Sequence, residues 1–123
     1  MAGEILLICA NWPQRALIRA QLAADTGREV VGADSAATAA AWLLRERFAL
    51  VILDTQGLSP DPRLVETLGA RSAPVLVVTG PFDQARWAEA LAGLAVRARL
   101  VRPLFIGDIT RSARLALSAA APS

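Results

Sequence analysis

Five times along this chain a short apolar run gives way to a stretch with apolar residues at helical spacing. That alternation restricts the fold to a parallel sheet with helices on both faces. The runs Ile5–Cys9, Leu50–Leu53 and Val75–Val78 are continuously apolar, as strands buried on both faces are. Glu29–Ala33 is a shorter second strand and Arg97–Val101 a weaker fifth one. Asn11 is placed to cap a first helix, with Pro13 in its first turn. Leu17, Ile18 and Leu22 give that helix its apolar face, and Gly27 ends it. Asp34 or Ser35 caps a second helix that runs to about Arg47 and carries Trp42, Leu43 and Leu44. A turn-rich loop at 56–60 leads to a short third helix from Asp61 to about Gly69. Gly80-Pro81 breaks the chain before a fourth helix, Phe82 to about Leu91, and the last helix spans Ile106 to Ala119. Residues 120–123 should fray. With no linker, repeat or low-complexity tract, residues 1–123 read as a single domain.

Composition removes several function classes. The chain has no histidine, no lysine and one cysteine, Cys9, in 123 residues. Ser-His and Cys-His nucleophile pairs, imidazole metal ligands, Cys-rich zinc sites and internal disulfides are therefore excluded. Cys9 reads as a small buried hydrophobe. The isoelectric point near 9.9 suggests a nucleic-acid binder, yet the net charge is only +2. All thirteen basic residues are arginine, and without lysine, tyrosine or histidine almost nothing titrates between carboxylates and guanidiniums. No nucleic-acid partner is expected from such a weak field. Arginine is densest near the end, where Arg97, Arg99, Arg102, Arg111 and Arg114 face Asp108 alone. That pattern is either a solvated face or a patch for an acidic partner. No apolar run is long enough for a membrane helix, and the acidic Glu4 before the first run argues against a signal peptide. A cytoplasmic location with no membrane contact is the expectation.

In an open parallel sheet, sites form beyond the C-terminal ends of the strands. The residues there are Cys9, Ala10 and Asn11 after the first strand, Asp54 after the third, Thr79 after the fourth and Arg102 after the fifth. One carboxylate, one hydroxyl and one cation thus share an edge. Each also has a plain structural use. Asp54 could cap or pair, and Thr79 could satisfy backbone groups. No Walker or dinucleotide pattern accompanies them.

Five βα units carry Leu50-Val51-Ile52-Leu53-Asp54, Pro74-Val75-Leu76-Val77-Val78-Thr79 and Leu100-Val101-Arg102-Pro103-Leu104, in that order. That set resembles the receiver domain of two-component response regulators, over Ile5 to Leu117. The resemblance implies a flavodoxin-like three-layer (βα)5 sandwich with parallel strand order 2-1-3-4-5. It places Asp54 at the phosphoacceptor position, and Thr79, Arg102 and Pro103 as supporting strand-end residues. It also implies that the Arg102-Pro103 peptide is cis.

The departures from the family are equally specific. The family's two acidic Mg²⁺ ligands after the first strand fall on Cys9 and Ala10, with Asn11 next, and a thiol and a methyl group supply no hard oxygen. Magnesium binding should be weak or absent, and no other cofactor is implied. Arg102 stands where the family has lysine, and its planar fork should reach Asp54 and fill the room a metal would use. The aromatic switch position is Arg99. The resemblance therefore implies a pseudo-receiver in two-component phosphorelay signalling. It would act by protein–protein interaction without Mg²⁺-dependent phosphorylation, and not as an enzyme. Its partner, another protein or a second copy, would meet the face of the fourth helix, fifth strand and fifth helix, where Trp87 is the candidate anchor. Trp12 and Trp42 read as packing residues. The alternatives are a working phosphoacceptor through Asp54, and a small-molecule-binding flavodoxin-like module with the strand-end crevice as its pocket.

Overall fold

The strand sequences alternate between two cores, and this sets the three layers of the molecule. The computed structural model describes residues 4–120. Its strands are β1 (Ile5–Ile8), β2 (Val30–Ala33), β3 (Leu50–Asp54), β4 (Val75–Thr79) and β5 (Val96–Val101). Its helices are α1 (Trp12–Thr26), α2 (Ala36–Arg45), α3 (Pro62–Arg71), α4 (Gln84–Ala90) and α5 (Ile106–Ala120). All neighbouring strands are parallel, in the order β2-β1-β3-β4-β5. Leu6, Ile8, Val51, Leu53, Val75 and Val77 point to one face and pack with Leu43 of α2, Leu64 and Leu68 of α3, and Trp87 of α4. Ile5, Leu7, Leu50, Ile52, Leu76 and Val78 point to the other and meet Ile18 and Leu22 of α1 and Ile109 and Ala113 of α5. Successive side chains on opposite faces, both buried, explain why β1, β3 and β4 are apolar throughout.

The helix starts follow the side chains available. Asn11 accepts from the Gln14 N–H at 2.9 Å, Ser35 from Thr38 at 3.1 Å, and Asp61 from Arg63 at 2.8 Å. Gly27 closes α1 with φ +67°, a left-handed conformation that glycine adopts without strain. Ser35, and not Asp34, therefore caps α2.

Several boundaries move from the sequence expectation; β1 ends at Ile8, β3 extends to Asp54 and α3 runs to Arg71. Strand β2 begins at Val30, because Glu29 contributes only its carbonyl, to Ile5. Helix α2 stops at Arg45, since Glu46 is extended at φ −139°. Residue 82 lies in a turn, and α4 begins at Gln84 behind Asp83, whose carboxylate is engaged elsewhere and caps nothing. Strand β5 starts one residue early, at Val96. Of the expected frayed tail, Ala120 closes α5 and residues 121–123 lie outside the described residues. Among the described residues no helix is long and apolar enough to cross a membrane.

Candidate functional site

The β1–β3 register pairs Ile8 with Leu53, so the next residues, Cys9 and Asp54, lie side by side at the sheet's C-terminal edge. Both continue the parity of the α1/α5 face, so their side chains lie side by side on it. Asp54 is a carboxylate only 2% exposed. Its Oδ1 accepts from the Arg102 guanidinium in an ion pair and from the Gln56 N–H at 3.1 Å. Its Oδ2 faces the Cys9 sulfur at 3.8 Å. The same thiol lies 3.6 Å from the Asn11 carbonyl, so its one hydrogen has two acceptors. Burial first, and then the Asp54 charge, push the Cys9 thiol above its ordinary value of 9.0. Cys9 is therefore a protonated thiol at neutral pH and a poor metal ligand or nucleophile.

Arg102 is delivered by β5. Its backbone N–H donates to the Thr79 carbonyl at 2.8 Å, and the Arg102-Pro103 peptide is cis. Thr79 is buried at the end of β4, as expected from its position. The crevice above these residues encloses about 460 Å³ and is walled by Gln14, Gln56, Gly80, Pro81, Arg102, Pro103 and Leu104, with Asp54 at its base.

The other expected positions resolve as follows. Ala10, where the resemblance implies an acidic residue, offers only a methyl group, 3.5 Å from where a Cβ on Gly57 (φ +78°) would stand. Asn11 is exposed and spends its side-chain oxygen on the α1 cap. Arg99 is exposed on β5, paired in register with Val77. Trp87 corrects an expectation. It is 1% exposed and packed in the core under α4, so it is not a partner-surface anchor. The spacing Asp83, Trp87, Leu91 carried that signal, because Trp87 and the buried Leu91 share one helical face. Trp12, expected to pack, is 69% exposed, while Trp42 is half-buried beneath the Arg45 guanidinium, 5.3 Å from its ring centre.

Sequence reasoning missed two residues beside the site. Thr55, 1% exposed, donates to Asp83 Oδ2 at 2.7 Å, and Asp83 Oδ1 accepts the Gly80 N–H at 2.7 Å. This latch ties the loop after β4 to the end of β3. The partners are 28 residues apart, and no local pattern marks them.

Magnesium requires a near-octahedral set of oxygens. Here the set is a protonated sulfur, a methyl group, an amide oxygen used as a cap, and one carboxylate that already faces a guanidinium. These residues do not fit the ion. Among the described residues no group of three or more His, Cys, Asp or Glu side chains converges.

No protein-family model and no curated protein matches the chain by sequence. Solved structures do match by shape. An adenylate cyclase from Rhodopirellula baltica superposes with a TM-score of 0.80 at 19% identity, over 98% of this chain and 90% of that one. NtrX from Brucella abortus gives 0.77 at 25% identity over 98% of this chain, which spans only 28% of the NtrX chain. A response regulator receiver protein from Pseudomonas putida gives 0.75 at 25% identity, over 94% of this chain and 98% of that one. The strand order and the five helices are those of the flavodoxin-like receiver fold.

Proposed function

We propose that this receiver-fold chain is a signalling module of the two-component type that works by protein–protein contact and takes no phosphoryl group with the help of magnesium. The observation that carries this reading is the Arg102–Asp54 ion pair, closed on its other side by the Cys9 thiol. Phosphoryl transfer to a carboxylate needs cationic neutralisation of the incoming group and a free nucleophilic oxygen. At Asp54 the resident cation is committed to the carboxylate, and among the described residues no second carboxylate joins it to recruit a divalent one. Asp54 is then a structural residue that fixes the end of β5 against β3.

The partner surface belongs to the side of the molecule formed by α4, β5 and α5. Phe82, Val101, Phe105 and Leu115 are large apolar side chains exposed there, and they replace the buried Trp87 as candidate anchors. As such a module the chain catalyses no reaction of its own. Incubation with a small-molecule phosphodonor and Mg²⁺, followed by intact-mass measurement, tests it with Asp54→Asn as control. The expected result is an unchanged mass for both proteins. A gain of one phosphoryl group by the unmodified chain, absent from Asp54→Asn, would establish a working phosphoacceptor instead.

A further inference from the structure

The five arginines clustered near the end of the chain do not share one surface. Arg102 is committed to Asp54. Arg114 lies toward α1, in a depression shared with Asp25 and Arg28. The remaining sorting is done by a bulge in β5. The β4–β5 register pairs Val75 with Val96 but Leu76 with Ala98, so Arg97 is an extra residue. Val96 packs into the core under α2, α3 and α4, whereas Ala98 packs into the opposite one, under α1 and α5. Arg97 and Ala98 therefore both reach the α5 side, and Arg99 falls on the other. A bulge re-aims a side chain in this way while it bends the strand locally.

Arg97 is delivered to the rim of a groove of about 350 Å³ between β5 and α5. Ala98, Ala116 and Ala119 give the groove a shallow apolar lining, and Ser112 and Leu115 complete it. Leu115 is 67% exposed. Arg111, one turn before Leu115 on α5, has a side chain 74% exposed. The only carboxylate in 96–120 is Asp108. It accepts the Phe105 N–H at 2.9 Å and lies 3.6 Å from Arg111. No carboxylate pairs with Arg97 among the described residues.

We propose that the β5–α5 groove docks an acidic amphipathic segment of another protein, with an apolar side chain against Ala98, Ala116 and Leu115 and a carboxylate on Arg97. The groove is apolar inside and cationic at its rim, and this segment is its complement in both respects. A second copy placed symmetrically would set Arg97 and Arg111 against themselves, which like charge disfavours. A nucleic-acid strand would leave the apolar lining unmatched and has no row of cations to follow. The inference rests on the interaction-module reading but is independent of whether Asp54 is silent.

The test uses a fluorescent synthetic peptide that alternates leucine and glutamate at helical spacing, and its glutamine counterpart, in anisotropy titrations against the full chain without Mg²⁺ or phosphodonor. The acidic peptide should bind, weaken with added salt, and lose about tenfold in affinity with Arg97→Glu and with Leu115→Asp. Both substitutions are on exposed side chains, and circular dichroism checks that the fold is kept. Arg99→Glu makes the same change in net charge on the opposite face and should bind as the unmodified chain does. Equal losses for Arg97→Glu and Arg99→Glu would reduce the effect to overall charge and overturn the groove. Equal binding of the glutamine peptide, absence of binding, or displacement by a single-stranded oligonucleotide of matched charge would overturn it too. So would a dimer in sedimentation that Arg97→Glu disperses. Phosphorylation of Asp54 in the mass experiment would overturn the earlier reading and leave this one standing.

Discussion

Asp54 is a charge placed where charge is costly, and its neighbours make it tolerable. The Arg102 guanidinium, the Gln56 amide and the Cys9 thiol are all aimed at its two oxygens. Burying a lone carboxylate is far less favourable than burying a paired one. Arg102→Met strands that charge and should lower unfolding free energy by on the order of 2 kcal/mol, because Arg102 keeps some access to water. Adding Asp54→Asn to Arg102→Met should recover part of the loss, since the neutral amide no longer needs a cation. Urea unfolding of the singles and the double measures the coupling. Strictly additive losses would mean that the pair contributes nothing. The strand-end positions of Asp54, Thr79 and Arg102 were legible in the sequence, because parallel-sheet geometry brings strand ends together. The ion pair was legible through the receiver resemblance, which sets Arg102 where that family has a lysine, near the Asp54 position. The Thr55–Asp83 latch was not legible, because it depends on how two loops fold back and neither loop has a distinctive pattern.

Among the elements, α4 is the least self-sufficient. It has seven residues and no side-chain cap, and Trp87 and Leu91 fix it to the sheet. Trp87 is fully enclosed, and among the described residues its indole N–H has no hydrogen-bond partner, so its contribution to stability comes mainly from packing. Trp87→Ala should cost about 3–5 kcal/mol, while the exposed Trp12→Ala should stay within about 0.5 kcal/mol. Denaturant titrations compare the two, and equal small effects would place Trp87 outside the core. The sequence fixes which helices exist more securely than where they begin. Asn11, Ser35 and Asp61 announce their helices by cap chemistry. Asp83 resembles a cap but turns its carboxylate to Thr55 and Gly80, which a sequence pattern cannot reveal. The bulge at Arg97 is invisible for a similar reason. Only the register with β4 shows that one residue is extra.

Across the whole molecule, the two halves of the design are separable. The sheet and its paired cores use aliphatic residues in an alternating register, and that pattern alone specifies strand order and layers. The strand-end edge carries the chemistry. There a thiol from the core, a methyl group and a guanidinium bound to the one carboxylate stand together. The fold matches the Pseudomonas putida response regulator receiver protein with a TM-score of 0.75, although only 25% of the residues are identical. What this edge can bind is the point on which the account turns. The most direct measurement is a backbone-amide NMR titration of the full chain with Mg²⁺ into the millimolar range. The amides of residues 9–11 and 54–57 should keep their positions apart from the uniform drift of added salt. A saturable shift confined to those residues, and abolished by Asp54→Asn, would show a magnesium site and contradict the account.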